Sequence, residues 1–92
     1  MIKEFGVTNY AYTFKDVLAY IDWIESKKFV ILGGDVYSRQ GDMFDLTYDS
    51  WYYSPKNNDS DLLQSISVAK DYISKYIDSN GENFYFAIVV SE

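Results

Sequence analysis

The chain has 92 residues, a net charge of −6 from fourteen acidic and eight basic side chains, no Cys and no His. That length fits one domain, and the missing thiols and imidazoles exclude a disulfide scaffold, a thiolate zinc site, a Cys nucleophile and the commonest general base. The acidic balance disfavours nucleic acid, whose phosphates are held by Lys and Arg, and fits a basic partner or simply a soluble surface.

Aromatic residues make up 20% of the chain, and ten of them are Tyr. A phenol has an apolar body and a polar tip, so this surplus fits half-buried positions and contact surfaces alike. Met1 to Gly6 is not followed by a continuous apolar run of the signal-peptide kind. No stretch reaches the roughly 18 apolar residues a membrane span needs. The expectation is a cytoplasmic protein without a membrane partner.

Residues 1–12 are ambiguous; Phe5, Val7, Tyr10 and Tyr12 fit an extended arm or an edge strand. Thr13 offers an N-cap, with Asp16 as a shortened capping-box partner. Phe14, Val17, Leu18, Ile21, Trp23 and Ile24 then recur at helical spacing, which predicts a first helix over about 13–26.

Phe29 to Tyr37 is short, apolar and β-rich, and reads as a strand. Arg39-Gln40-Gly41 reads as a three-residue hairpin loop, with Gly41 at the positive-φ position. From Met43 to Tyr53, Phe44, Leu46 and Tyr48 alternate with Asp45, Thr47 and Asp49, the period-two pattern of a strand with one wet face. Ser54 to Asp59 is loop. Ser60 or Asp61 caps a second helix whose stripe is Leu62, Ile66, Ala69, Ile73 and Tyr76/Ile77, and Asn80-Gly81 ends it. Phe84 to Val90 is a last apolar strand.

The order α-β-β-α-β predicts an α+β domain spanning 1–92. Its three-stranded sheet has order 2-1-3, the central strand runs antiparallel to both neighbours, and both helices cover one face. A loop at Arg39–Gly41 pairs Val36 with Phe44, Gly34 with Leu46 and Leu32 with Tyr48. Even-numbered residues of the hairpin then form the core side.

The odd-numbered face would be open, presenting Phe29, Ile31, Gly33, Asp35 and Tyr37 beside Met43, Asp45, Thr47, Asp49, Trp51 and Tyr53, with Tyr85, Ala87 and Val89 from the last strand. Asp35 would sit opposite Asp45, a repulsive pair. Exposed aromatics among carboxylates suit protein recognition, so Asp35, Tyr37, Asp45, Asp49, Trp51 and Tyr53 are the candidate partner-binding residues. The competing reading folds residues 1–12 over this face and makes it core.

Gly33-Gly34 lacks the Lys-Ser/Thr of a phosphate loop and fits a β-bulge instead. Asp35, Asp45 and Asp49, with Asp42, could offer oxygen ligands to Mg²⁺ or Ca²⁺, but without EF-hand spacing. A two-carboxylate hydrolase would need a deeper cleft than this length provides. No cofactor and no catalytic set are expected.

Ile31-Leu32-Gly33-Gly34-Asp35-Val36-Tyr37 followed by Tyr48-Asp49-Ser50-Trp51-Tyr52-Tyr53 resembles the small immunity proteins of bacterial polymorphic toxin systems, in particular the immunity protein 40 family. The likeness includes the Gly-Gly-Asp-Val step, the Asp-x-Trp-Tyr step, the following helix and the closing aromatic strand, and covers roughly residues 13–90. It implies stoichiometric docking on a cognate toxin domain, a basic one by analogy with toxic nucleases, and does not identify the contacting residues. The alternatives are a small-molecule or metal-binding domain using the same face, or a structural subunit that dimerises through it. A monomer or weak homodimer is expected.

Overall fold

A computed structural model describes residues 11–41 and 43–91. Helix α1 spans Phe14–Ser26, strand β1 Val30–Gln40, strand β2 Met43–Tyr52, helix α2 Asp61–Asn80 and strand β3 Phe84–Ser91. The sheet order is β2-β1-β3, and β1 is antiparallel to both neighbours. The α+β architecture and strand order therefore match the sequence pattern.

Local chemistry accounts for the element ends. The Thr13 hydroxyl accepts from the Asp16 N–H at 3.2 Å, which satisfies one of the free donors of the first turn of α1. Gly81, at φ 91, closes α2 through its N–H to the Ile77 carbonyl. Val17, Ile21 and Ile24 of α1 meet Ile66, Ala69, Ile73 and Ile77 of α2 over Ile31, Val36, Phe86, Ile88 and Trp51 of the sheet. Both helices thus cover one face, as the amphipathic spacing requires. Trp23 leaves that stripe: it is exposed, stacks on Tyr20 and carries the Lys27 ammonium over its ring.

Of the N-terminal arm, residues 1–10 lie outside the described residues, so neither an edge strand nor a cover for the sheet is assigned there. Tyr12 pairs with Phe86 on the outer edge of β3, exchanging hydrogen bonds of 2.8 Å in both directions.

The hairpin register corrects the expected one. Gln40 pairs with Met43, so only residues 41 and 42 connect the strands, and Gly41 supplies φ 60. A Gly-Asp step suits a two-residue hairpin turn. Because side chains alternate strictly, the shorter loop turns every β2 side chain to the opposite face from the one expected. Tyr37 therefore faces Leu46 and Arg39 faces Phe44. Asp35 lies opposite Ser50, and the expected Asp35–Asp45 repulsion does not exist.

Two irregularities complete the sheet. Between the Tyr37–Leu46 and Asp35–Ser50 pairs, β2 carries extra residues around Tyr48, which sits at φ 71. The Thr47 hydroxyl staples this bulge, donating to the Val36 carbonyl at 2.9 Å and accepting from the Asp49 N–H at 3.1 Å. The second shift lies between Ile31 and Gly33 against β3. It leaves Ile31 fully buried rather than on the open face, with its N–H donating to the buried Ser65 hydroxyl at 3.0 Å. Ser65 in turn donates to the Leu62 carbonyl, so neither polar group is stranded.

Candidate functional site

The face of the sheet away from the helices is built in rungs. Arg39 lies beside Phe44; Tyr85, Tyr37 and Leu46 form the next rung; Ala87, Asp35 and Ser50 the next; Val89, Gly33 and Tyr52 the last. Phe44 meets Tyr85 edge-on at 5.1 Å and Tyr37 at 6.5 Å, and the Arg39 guanidinium lies 5.4 Å from its ring centre. These contacts hold the rings upright, yet Phe44 and Leu46 remain 45% and 43% exposed and Tyr52 83% exposed. Contiguous exposed apolar side chains on one face make it a candidate contact surface.

Asp35 stands in the middle of these rings. It is half-buried, and its carboxylate has no hydrogen bond or ion pair among the described residues. Burial, and secondarily the Asp35 charge, push the Tyr37 phenol above its ordinary pKa, so it remains a neutral donor. Beside Asp35 a cleft of about 290 Å³ opens between Leu32–Asp35 of β1, Trp51 and Tyr52 of β2, and Val89 of β3.

The paired glycines make this geometry possible. Gly33 has φ 152, and a methyl there would collide with the Trp51 carbonyl. A methyl on Gly34 would collide with the Trp51 indole and the Ala87 carbonyl. The bulge reading of Gly33-Gly34 is therefore supported, and Gly34 has the added role of seating Trp51.

Of the six residues read as partner-binding, the structure brings Asp35 and Tyr37 together on the open face. The other four belong elsewhere, because the register of β2 is inverted. Trp51 is 5% exposed, packed toward α2 and stacked on Tyr72 at 4.9 Å. Its Nε1 is buried without a hydrogen-bond partner among the described residues. Asp49 accepts from the Tyr76 hydroxyl at 2.8 Å and ties β2 to α2. Tyr53 donates to the Asp61 carboxylate at 2.7 Å. Asp45 is exposed opposite Ser38, on the helix side of the sheet.

Among the described residues no three acidic side chains converge on a point that could hold a metal ion, and Asp42 lies outside them. Phe44, Leu46 and Tyr52 are the members of the face that sequence reasoning assigned to the core or passed over. The Gly41-Asp42 step was the signal that could have found them, since a two-residue turn gives all three the same face as Tyr37 and Asp35.

Two other polar features are accounted for by structure. The Asp61 carboxylate accepts from the Lys56, Asn57 and Asn58 N–H groups and from Tyr53, folding the β2–α2 loop onto itself rather than capping α2. The Lys56 N–H, then the Tyr53 hydroxyl, hold it below the ordinary carboxylate pKa. A depression of about 380 Å³ runs along α2 past Trp51 and Tyr76, and its charged groups, Asp71 and Lys75, pair with each other at 3.1 Å.

No helix among the described residues is long and apolar enough to cross a membrane. No curated protein and no solved structure matches the chain. The family description that does match is Immunity protein 40, over residues 1–90, and the chain belongs to that family.

Proposed function

We propose that this protein is a cytoplasmic immunity protein that neutralises a cognate bacterial toxin domain by stoichiometric binding rather than by catalysis. Its family carries that reading, since immunity is the property for which the family is named. The open sheet face is the proposed contact surface. Asp35 and Tyr37 lie at its centre, and Phe44, Leu46 and Tyr52 supply aromatic and aliphatic anchors. Trp51, stacked on Tyr72, backs this face from the helix side.

A net charge of −6 favours a basic toxin, whose approach would be steered electrostatically. The free protein is expected as a monomer or weak homodimer.

The test is binding of the toxin domain encoded beside this gene. Because interface energy concentrates in a few aromatic anchors, Tyr52→Ala should weaken the complex by about 2 kcal/mol or more. The association rate of the unmutated protein should fall steeply with salt while dissociation changes less. A complex that forms with unchanged affinity in Tyr52→Ala and Phe44→Ala would remove this face as the interface.

A further inference from the structure

We infer that the cleft beside Asp35 is a slot for one arginine side chain of the partner protein. The inference rests on the open-face reading above and names the chemistry that the face recognises.

The space is adequate. A cleft of about 290 Å³ is several times the share of one water molecule, about 30 Å³, and accepts a long side chain. Its walls are mostly apolar and aromatic, Leu32, Val89 and Tyr52, and the backbone of Gly33 and Gly34 lines it as well. Such walls suit a methylene stem, and the Tyr52 ring suits a planar cation lying against it.

The charge is specific to a cation. Among the described residues Asp35 is the only carboxylate lining the cleft, and it lacks an ion-pair partner there. Arg39, on the same strand and face, is engaged elsewhere: its Nε donates to the Gly41 carbonyl at 2.8 Å and its guanidinium lies over Phe44. A half-buried carboxylate among rings and aliphatic side chains loses hydration when a partner covers the face, so the complex must restore its interactions. A guanidinium does this with two parallel hydrogen bonds and a stacking plane, where an ammonium offers a point charge. The −6 net charge biases approach in the same direction.

The probe is N-acetyl-arginine methylamide, with N-acetyl-citrulline methylamide as its uncharged analogue of the same shape, titrated into the full chain and followed by amide chemical shifts. Arginine should give saturable shifts at Gly33, Gly34, Asp35 and Tyr52. Loss of a charge-assisted pair weakens binding about 10- to 100-fold, so citrulline and the Asp35→Asn variant should each show that loss. Asp35→Asn is nearly isosteric, and its thermal midpoint establishes that it is folded. Equal shifts from both probes, shifts that survive Asp35→Asn, or no shifts in the cleft would overturn the slot.

In the toxin complex, Asp35→Asn should weaken binding by a similar factor. If Tyr52→Ala weakens that complex and Asp35→Asn does not, the face stands as the interface and the slot is refuted. If neither weakens it, the face falls as the interface and the slot falls with it.

Discussion

Trp51 and Tyr52 are adjacent in sequence and similar in chemistry, yet they stand on opposite faces of one strand. Trp51 lies on Gly34 and against Tyr72, 5% exposed; Tyr52 stands in solvent, 83% exposed. The helix-side face is closed by aliphatic packing of both helices, with Tyr72 and Tyr76 continuing the stack to Phe84 and Phe86. The open face has rings that touch one another but nothing that covers them among the described residues. The same residue types therefore stabilise the fold on one side and stay exposed on the other, among the described residues.

This contrast can be broken most sharply at the neighbouring pair. Trp51→Ala should cost about 3–5 kcal/mol of stability, as expected for emptying a large aromatic site in a core. Tyr52→Ala should leave stability within about 0.5 kcal/mol of the original. Urea unfolding followed by far-UV circular dichroism compares them directly, and equal losses would mean that Tyr52 is covered in solution.

Gly34→Ala probes the seat beneath the indole. The added methyl meets both Trp51 and the Ala87 carbonyl, and overpacking of this kind costs about 1–3 kcal/mol. An unchanged urea midpoint would show that Trp51 can move aside.

A smaller effect is expected at Tyr48, 86% exposed and held at φ 71 in the β2 bulge. The left-handed region costs an L-residue about 1–2 kcal/mol, and Asn tolerates it better, so Tyr48→Asn should gain a few tenths to about 1 kcal/mol. Should the same variant also lose toxin affinity, the strained tyrosine is retained for contact rather than for folding.

The last test concerns a structural carboxylate away from the open face. Asp61 is held below its ordinary value of 3.8 by the loop N–H groups and Tyr53, so it contributes stability when ionised. That contribution is present above the unfolded pKa, near 3.8, and is lost as pH falls through the lowered folded value. The difference in urea midpoint between the original and Asp61→Asn should be fully developed at about pH 7 and shrink on acidification below about pH 4. A difference that is constant with pH would mean the carboxylate charge is irrelevant to the loop.

The elements and their order were legible in the sequence because the forces that set them are local. Thr13 capping, the Val17–Ile21–Ile24 spacing, the Asn80-Gly81 stop and the apolar runs each act within a few residues. The order 2-1-3 followed from placing the very apolar first strand at the centre, with the last strand antiparallel beside it. Asp35 and Tyr37 were placed on the open face correctly because β1 alternates undisturbed from Gly34 onward.

The facing of β2 was decided only in three dimensions. Alternation shows that Phe44, Leu46 and Tyr48 share a pattern, but not which side the helices will take. Here one residue of loop length determines the face, and the observed connection is one residue shorter than the Arg39–Gly41 loop expected from its turn chemistry. Trp51 reaches the core only because α2 passes over that end of β2 and Gly34 leaves room for it. The oily residues nearer the turn find no helix above them, so hydrophobicity that would ordinarily mark a core instead forms the open face.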